Sequence, residues 1–401
     1  MNAPYQGARA VVVGGSIGGL SAALLLRDLG FDVDVYERTP EELEGRGAGI
    51  VLQPEMLRWF QERSTHRPEQ LSTASRNLRY LGPGNAIVYE EPSVWRFTSW
   101  GTLYRALLDD FGREHYHLGH CFVGVDSGED SATVRFTNGV TETADLVVFS
   151  DGVTSVGRKR LWPEATLEYA GYVGWRGTVV ESELSAESRA LFEESLTYCV
   201  GPNTHICIYP IPGMDGELEI GQRLINYVWY RNVPRGNELD ELLTDKSGIR
   251  ADVSVHPGKV QDRFVAEMKS VAGGVLAPAA AELVQKTEFP YLQQIMDGRM
   301  PRMTNGRAVI MGDAAFVGRP HGAAGTAKAA SDAWGLAEAL EGSGGSIPAA
   351  LATWEPRQLE IGTRLVDRVV QMGCRAQFDN TWTPEDTSLR FGLLKPLQPT
   401  S

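Results

Sequence analysis

Hydrophobic positions follow two different patterns along the chain. Near the N-terminus and again over residues 306–342, short continuous apolar runs alternate with helical segments, as in Ala10–Val13 followed by Leu20–Leu29. Continuous apolar runs are typical of parallel strands that are buried on both faces. Over residues 71–99 and 169–285, apolar and polar positions instead alternate with a period of two, which is typical of an antiparallel sheet. The sequence therefore predicts an α/β fold with a second, antiparallel sheet.

Turn residues and helical periodicity set the expected boundaries of several elements. A hairpin loop is expected at Gly82-Pro83-Gly84-Asn85, and Asn138-Gly139 should turn a hairpin into the strand that ends at Asp151. We interpret residues 71–99 as the first strands of the antiparallel sheet. Helices are predicted over residues 54–63, 102–111, 240–243, 260–272, 325–340 and 349–372, the last with a possible bend at Pro356.

Composition and charge narrow the class of protein. A chain of 401 residues is long enough for two domains. A net charge of −13 at pH 7 disfavours nucleic acids and anionic membranes as partners. No apolar stretch is long enough to cross a bilayer, and glycines interrupt the apolar run at residues 10–29, which argues against a signal peptide. The cysteines lack motif spacing and are expected to be free thiols in a reducing cytoplasm: Cys121, Cys199, Cys207 and Cys374.

A glycine-rich turn separates the first predicted strand from the first predicted helix. The turn reads Gly14-Gly15-Ser16-Ile17-Gly18-Gly19, and the strand after the helix ends at Glu37, 23 positions after Gly14 (37 − 14). The order of strand, turn, helix, strand and acid is that of a dinucleotide-binding βαβ unit. Gly14 would permit the tight turn, Gly19 would allow close packing, and Glu37 would bind a ribose hydroxyl. A packing turn without a ligand is the alternative, since Ser16 replaces the usual middle glycine.

A second strand-to-helix connection carries an acidic residue. Ala308–Met311 is a short apolar run that ends in Gly312-Asp313, and a helix opens at Gly325 after Pro320. Ligands of open α/β sheets lie at the carboxyl ends of the strands, and a helix N-terminus can meet a negative ligand there. Asp313 could therefore accept hydrogen bonds from ligand hydroxyls, or it could simply cap a helix.

A third motif contains Asp151-Gly152, followed by Ser155 and Arg158. Together the three motifs resemble those of the single-component flavoprotein aromatic hydroxylases, the group similar to 4-hydroxybenzoate hydroxylase, and most closely its members that hydroxylate hydroxypyridines. The resemblance implies a Rossmann-like, GR2-type FAD-binding domain joined to an antiparallel-sheet substrate domain. The implied ranges are residues 1–70, 96–168 and 286–375 for the FAD-binding domain, 71–95 and 169–285 for the substrate domain, and 376–401 for a C-terminal tail.

The resemblance also implies which residues hold the cofactor. FAD would bind non-covalently, and NADPH or NADH would bind transiently as co-substrate, because no second glycine-rich βαβ unit is present. The residues implied to contact FAD are Gly14, Gly15, Ser16, Ile17, Gly18, Gly19, Glu37, Arg38, Gly49, Ile50, Asp151, Gly152, Asp313, Pro320, Gly325 and Thr326. A Gly47–Ile50 element is expected beside the flavin ring. Trp100 stands where the family commonly presents an arginine to the FAD phosphates, although Arg105 lies one turn further along.

No metal site is expected. Alternation puts His115 and His117 on one face of a strand, an arrangement that metal sites can exploit. Because no carboxylate or second cluster accompanies them, we interpret both histidines as structural.

The implied reaction is hydroxylation of an electron-rich aromatic ring with NAD(P)H and O₂, through a flavin C4a-hydroperoxide. The resemblance favours a hydroxypyridine such as 2,6-dihydroxypyridine. Removing the ring's hydroxyl proton requires a base or acceptor, for which His205, Tyr209 and His321 are candidates. His321 is favoured because Pro320, beside it, would border the oxygen-reacting face.

Other aromatic and basic residues leave alternatives open. Four aromatic residues could be either core or cavity wall: Tyr172, Trp175, Trp229 and Tyr230. Arg176 and Arg223 could meet an anionic substrate or pair with surface carboxylates.

Alternative functions also remain, because Ser16, Trp100 and Phe149-Ser150 depart from the family pattern. The alternatives are a flavin-binding redox sensor or scaffold without turnover, and a hydroxylase of another phenolic ring. A dehydrogenase without flavin would leave the Gly312-Asp313 motif unexplained. The expected partners are a small aromatic substrate, O₂ and NAD(P)H, with a homodimer as a possible assembly.

Overall fold

The computed structural model describes residues 4–43 and 49–393. Gly47 and Ala48 of the element expected beside the flavin ring lie outside the described residues. So do Pro396 and Pro399 of the expected tail.

The strands in the described residues form four sheets. They are β1 (Arg9–Val13), β2 (Asp32–Tyr36), β3 (Gly49–Leu52), β4 (Thr73–Ala74), β5 (Asn77–Leu81), β6 (Ile87–Pro92), β7 (Arg96–Ser99), β8 (Tyr116–His117), β9 (Phe122–Ser127), β10 (Ala132–Phe136), β11 (Thr141–Ala144), β12 (Leu146–Phe149), β13 (Leu167–Val180), β14 (Ser195–Gly201), β15 (Thr204–Ile211), β16 (Leu224–Asn232), β17 (Ser254–Val255), β18 (Tyr291–Gly298), β19 (Thr304–Asn305) and β20 (Ala308–Ile310).

Helices connect and cover these sheets. They are α1 (Ile17–Asp28), α2 (Pro54–Glu62), α3 (Pro68–Leu71), α4 (Trp100–Phe111), α5 (Val156–Leu161), α6 (Ala186–Phe192), α7 (Asn237–Leu243), α8 (Asp262–Val275), α9 (Pro278–Lys286), α10 (Gly325–Gly342) and α11 (Ile347–Gln377).

The first sheet has the strand order β19-β20-β12-β1-β2-β8. All neighbours in it pair parallel except β19, which pairs antiparallel with β20. Its central strands are buried on both faces, which explains their continuous apolar sequences. Because the strands are parallel, their carboxyl ends lie at one edge, and this edge carries the three motifs of the sequence.

The second sheet has eight strands in the order β17-β18-β13-β16-β15-β14-β5-β6. All of its pairings are antiparallel except that of β5 with β14. Successive residues of β13 face opposite sides, so Trp175 packs in the core formed with α8 and α9, while Tyr172 belongs to the core on the other side. Trp229 packs with Trp175, and Tyr230 lies on the side of Tyr172. The predicted α/β fold with an antiparallel sheet is confirmed.

Not all of residues 71–99 join the second sheet. Strands β5 and β6 do, but β7 pairs with β3 and β4 in a separate small sheet. The expectation for this segment was therefore partly wrong, because alternation reports one exposed face and not which partner a strand will have.

The antiparallel sheet also extends beyond the expected boundary at residue 285. Strand β18 pairs with β13 from Leu167↔Gly298 to Arg176↔Tyr291. The expected division had placed residues 291–298 in the FAD-binding domain. Helices α8 and α9 separate this strand from the rest of the sheet in sequence, which concealed the connection.

The segment after α11 is not a loose tail as far as it is described. Helix α11 continues to Gln377, and the chain then returns along the second sheet. The buried side chains of this return are Trp382, Leu389, Phe391 and Leu393. The expectation of a tail from residue 376 is therefore wrong up to residue 393, and we call residues 378–393 the C-terminal strap. Its proline and polar residues resemble a tail, but Trp382 and Phe391 are buried.

Two local boundaries also differ from expectation. Helix α4 begins at Trp100 because Ser99 accepts a hydrogen bond from the Thr102 N–H and so caps the helix. The segment after Asn138-Gly139 forms two strands in different sheets, β11 and β12, rather than one strand reaching Asp151. No helix in the described ranges is long and apolar enough to cross a membrane.

Candidate active site

A cavity of about 360 Å³ is lined by both large sheets. The carboxyl edge of the parallel sheet and the N-termini of α1 and α10 form one side, and the antiparallel sheet forms the other. The strap contributes Trp382 and Phe391. Thirteen of the residues that the sequence assigned to the site line this cavity: Ser16, Ile17, Gly18, Gly49, Ile50, Gly152, His205, Tyr209, Asp313, Pro320, His321, Gly325 and Thr326.

The glycine-rich turn needs its glycines. Gly14 has φ +101°, and a Cβ there would lie 2.4 Å from the carbonyl oxygen of Ser150. A Cβ at Gly19 would lie 1.8 Å from the carbonyl oxygen of Gly14. The absence of side chains lets the turn pack against β12. Ser16 occupies the N-cap position of α1, but its hydroxyl forms no hydrogen bond with the helix.

Glu37 lies behind the turn and supports it. One carboxylate oxygen accepts the N–H of Gly15 at 2.9 Å, and the other accepts the N–H of Thr39 at 3.0 Å. Gly14, Gly15, Gly19 and Glu37 are not among the cavity-lining residues. A contact of Glu37 with a ribose hydroxyl stays a prediction, for which the carboxylate retains free lone pairs.

Asp313 follows β20 and lines the cavity. Within the described ranges, no hydrogen bond engages its carboxylate, whereas its main-chain oxygen accepts from Arg158. The surrounding protein raises the pKa of Asp313 to about 6, against the opposing effect of Arg158 and Lys328, although the residue is exposed to solvent in the cavity. The carboxylate is thus available to hydroxyl donors of a ligand. Asp313 lies in a short 3₁₀ turn, Gly312–Ala314, in which its side chain forms no cap.

A buried ion pair fixes this turn. Asp332 accepts the Gly312 N–H at 2.9 Å and pairs with Lys328, and both side chains are almost fully buried. Gly312 has φ +58°, a left-handed conformation that favours glycine. Lys328 also lines the cavity, and sequence reasoning missed it because no motif marks a lysine inside a helix.

Asp151 holds the third motif together. Its carboxylate accepts the N–H groups of Val156 at 2.7 Å and Gly157 at 3.0 Å, so it caps α5. Arg158 donates to the carbonyl oxygens of Val153 and Ala314 and thereby ties this loop to the turn at Asp313. Gly152 reaches the cavity, whereas Asp151 does not.

Other expected contacts lie away from the cavity. Arg38 is exposed and bonds Thr154 at 3.4 Å. Arg105 donates to the carbonyl of Met214, so it does not replace the missing arginine at Trp100, which itself lines the cavity. His115 and His117 both contact the carboxylate of Asp34, so the expectation that no carboxylate accompanies them was wrong. No group of three or more His, Cys, Asp or Glu residues in the described ranges is arranged so that it could hold a metal ion.

The cavity fits FAD on three observations. The N-termini of α1 and α10 both reach it, and each presents main-chain N–H groups that are unpaired within the helix. Such groups suit a pyrophosphate and the negative edge of a reduced flavin ring. Asp313 adds an unpaired carboxylate for hydroxyl groups. Ser16 to Gly18, Asp313, Gly325 and Thr326 would therefore hold the cofactor.

His321 lies on the cavity wall with one ring nitrogen paired. Its Nε2 is 2.6 Å from the hydroxyl oxygen of Tyr172, while its Nδ1 is buried without a partner among the described residues. Arg319, held by Asp297 at 2.7 Å, also reaches the Tyr172 hydroxyl at 3.5 Å. Burial, with lesser effects of His205 and Arg319, lowers the pKa of His321 well below its usual value, so the ring is neutral.

The two other candidates for the base have different surroundings. Burial lowers the pKa of His205 to about 3, and its Nδ1 is 2.8 Å from the side-chain amide nitrogen of Gln377. Tyr209 stacks on Phe97, and burial raises the pKa of its phenol far above its usual value. Within the described residues no hydrogen bond engages the Nε2 of His205, so an unpaired ring nitrogen does not by itself distinguish His321 from His205.

Comparisons with known proteins agree with this geometry. Three family descriptions match the chain: an NAD(P)-binding Rossmann-like domain over residues 12–54, an FAD binding domain-like family over 169–297, and an FAD binding domain over 277–369. The chain is 38% identical to 2,6-dihydroxypyridine 3-monooxygenase of Paenarthrobacter nicotinovorans, covering 98% of this chain and 97% of the relative. It is 26% identical to 6-hydroxynicotinate 3-monooxygenase of Pseudomonas fluorescens, covering 96% and 95%.

Solved structures give the same result. The structure of 2,6-dihydroxypyridine-3-hydroxylase from Arthrobacter nicotinovorans superposes with a TM-score of 0.91 at 37% identity, covering 98% of this chain and 99% of that one. HpxO of Klebsiella pneumoniae, complexed with FAD and uric acid, has the same fold, with a TM-score of 0.76 at 23% identity over 95% and 92% of the chains. The cavity, its helix N-termini and these relatives together show that the chain belongs to the FAD-dependent aromatic monooxygenases.

Proposed function

We propose that this monooxygenase hydroxylates a hydroxypyridine, such as 2,6-dihydroxypyridine, at the carbon adjacent to a hydroxyl-bearing one. The main support is that the N-termini of α1 and α10 and an aromatic wall that contains His321 line the same cavity. FAD, when bound, supplies hydride acceptance from NAD(P)H and the activation of O₂. The relatives named for hydroxypyridine and hydroxynicotinate support this substrate class.

His321 is proposed to accept a hydrogen bond from the ring hydroxyl. In the tautomer that carries its hydrogen on Nε2, His321 donates to the hydroxyl oxygen of Tyr172, and the unpaired Nδ1 is left as an acceptor. The lowered pKa of His321 keeps that lone pair free, but it also makes full proton transfer from the substrate to the imidazole unfavourable. His321 would therefore polarise the hydroxyl, which pushes electron density onto the adjacent ring carbon. The rings of Tyr172, Tyr230 and Trp382 lie around His321, and apolar surroundings of this kind help to keep water from a reacting site.

Turnover tests the substrate class. Purified FAD-loaded protein should oxidise NADH or NADPH in response to 2,6-dihydroxypyridine, with a product one oxygen atom heavier by mass. 2-Hydroxypyridine and 4-hydroxybenzoate complete the panel. Coupled turnover of the benzoate alone would make the hydroxypyridine proposal wrong, and oxidation that no aromatic compound stimulates would favour the redox sensor or scaffold. Comparing the two nicotinamides assigns the co-substrate.

Replacing His321 tests its role. His321→Phe should retain FAD but form hydroxylated product about 100-fold more slowly, within the usual range for loss of acid–base assistance. Hydrogen peroxide release should then account for most of the nicotinamide oxidised. His321→Asn, which keeps an acceptor, should recover part of the rate. Undiminished coupling in His321→Phe would exclude the proposed role.

Location and assembly complete the proposal. We place the protein in the cytoplasm, in keeping with its free cysteines, and we propose no membrane partner. A homodimer is proposed because β6 is an edge strand that exposes Ile87 and Val88. Light scattering on the purified protein measures the assembly directly.

A further inference from the structure

An arginine without a carboxylate partner lines the cavity. Arg176 lies on β13, and its Nε donates to Oε1 of Gln293 at 3.1 Å. The phenol of Tyr291 is its other side-chain partner. Both partners are neutral, and no carboxylate of the described residues forms an ion pair with it. The groups that act on its charge are Tyr291, Tyr230, Tyr209 and Cys207.

Two buried arginines of the molecule have anionic partners, whereas a third, Arg158, donates to main-chain carbonyls. Arg319 pairs with Asp297 at 2.7 Å, and Arg223 pairs with Glu181 at 2.6 Å. The sequence left open whether Arg223 meets an anionic substrate or a surface carboxylate. It pairs with the carboxylate of Glu181, which is buried rather than at the surface. Arg176 differs from both, since the compensation that it has among the described residues is an amide oxygen and a phenol.

The strand register places this cation in an apolar environment. Arg176 is paired with Val228 on one side and with Tyr291 on the other. Val228 is in turn paired with Cys207, which also lines the cavity. A charge in such surroundings is costly unless an opposite charge or hydrogen bonds compensate it.

The guanidinium nevertheless stays charged. An arginine side chain keeps its proton throughout the physiological pH range, even where it is buried. A permanent cation with unused N–H donors, facing a ligand cavity, is an anion-binding group.

We propose that Arg176 binds the anionic oxygen of the ring substrate, so that the enzyme selects the deprotonated hydroxypyridine. This inference rests on the function proposed above and adds the ionisation state of the substrate. Gln293 is the positioning residue: by accepting the Nε hydrogen, it orients the guanidinium plane and leaves the terminal nitrogens for the ligand.

The assignment explains how a ring that resists electrophilic oxygen becomes reactive. A deprotonated hydroxyl donates more electron density to the adjacent carbon than a neutral one. His321 is neutral and has a lowered pKa, so it is a weak base for the hydroxyl proton of the substrate. The positive charge of Arg176 instead selects the substrate molecules that are already anions when they bind, so the proton is left in solvent.

Binding titrations separate charge recognition from general packing. FAD-loaded wild type and Arg176→Met are titrated with 2,6-dihydroxypyridine and with 2,6-dimethoxypyridine, which cannot ionise, and binding is followed by flavin absorbance. Arg176→Met should bind the dihydroxy compound about 10- to 100-fold more weakly, the range for loss of a charged hydrogen bond. The dimethoxy compound should change less than about threefold. Arg176→Lys should give an intermediate loss, because it keeps the charge but not the planar fork.

The pH dependence provides a second readout. Wild-type affinity for the dihydroxy compound should rise as its hydroxyl ionises, and this rise should be absent in Arg176→Met. Arg231→Met is the matched control, since Arg231 lies on the same sheet but pairs with Glu267 at the surface. It should titrate like the wild type.

Three results for Arg176→Met would overturn the inference. They are an equal loss of affinity for the dihydroxy and dimethoxy compounds, no loss of affinity for either, or loss of FAD. Benzoate and benzyl alcohol are included as a second pair of anionic and neutral rings. If the wild type does not hydroxylate 2,6-dihydroxypyridine, the proposed function fails, whereas a selective loss of benzoate binding would still sustain the role of Arg176. No binding of any anionic ring by the wild type would overturn both.

Discussion

The parallel sheet and the antiparallel sheet build their halves of the cavity in different ways. On the parallel side, the cavity is lined by the N-termini of two helices, at Ser16–Gly18 and at Gly325, beside turns that need glycine. On the antiparallel side, they are side chains from separate strands, among them Arg176, His205 and Tyr209. The cofactor half is thus specified by contiguous sequence, and the substrate half by the packing of distant segments.

The largest expected effect comes from breaking the parallel half at Gly19. A Cβ in Gly19→Ala would lie 1.8 Å from the carbonyl oxygen of Gly14, so the turn and α1 must separate. The free energy of unfolding should fall by more than about 3 kcal/mol, the upper range for overpacking. The purified protein should retain almost no FAD, as measured by its absorbance spectrum.

Gly342→Ala is the control for this prediction. Gly342 ends α10, and no atom lies within 4 Å of the position of its Cβ. Its FAD content and unfolding midpoint should match those of the wild type. Normal FAD content in Gly19→Ala would show that the turn tolerates displacement, and the contrast between the two halves would lose its basis.

The sequence predicted the fold class and the parallel half because both follow from local rules. A left-handed Gly14, a helix opening at Gly325 and an acid after β20 are recognisable in short stretches. The fold class and the FAD-dependent activity are confirmed. The individual contacts proposed for FAD stay predictions.

The substrate half was less predictable because its neighbours are far apart in sequence. Gln293 meets Arg176 across 117 positions, and Trp382 meets Tyr80 across 302. Neither partner has a motif of its own. The aromatic residues at positions 382 and 391 were the available signal for the strap, since a free tail has no reason to carry buried aromatic side chains.

Trp382 tests the antiparallel half. Its indole N–H donates to the Tyr80 hydroxyl at 3.1 Å, and its ring stacks on His205 at 5.3 Å. Trp382→Ala should lower the free energy of unfolding by about 3 kcal/mol, at the low end for loss of a buried tryptophan because one side of the ring borders the cavity. Water should enter the site, so more of the nicotinamide oxidised should yield hydrogen peroxide.

FAD content should be unchanged in Trp382→Ala, because the strap contacts the second sheet rather than the glycine-rich turn. Phe378→Ala removes an exposed aromatic residue of the same strap and should have little effect on unfolding or coupling. Loss of FAD from Trp382→Ala would mean that the two halves of the cavity are not independent.

The smallest expected effect is a pH dependence at the boundary between the halves. In the FAD-free protein, the pKa of Asp313 is about 6, above the value of about 3.9 for an unfolded chain. The native state therefore holds this proton more tightly, so its contribution to stability is full below pH of about 4 and is lost as the pH rises to about 6. Solvent in the cavity weakens this effect. Asp313→Asn removes the titrating carboxyl, so the change in melting temperature across this window should be smaller than in the wild type by roughly 3 °C.

Asp386→Asn is the control. Hydrogen bonds from Ser388 and Arg375 hold the pKa of Asp386 at about 2, so this carboxyl does not titrate in the window and the pH profile of the variant should parallel that of the wild type. Parallel profiles for Asp313→Asn and the wild type would show that the Asp313 carboxyl is already solvated in the free protein. Its hydrogen bonds to a ligand hydroxyl would then compete with water and contribute little to FAD affinity.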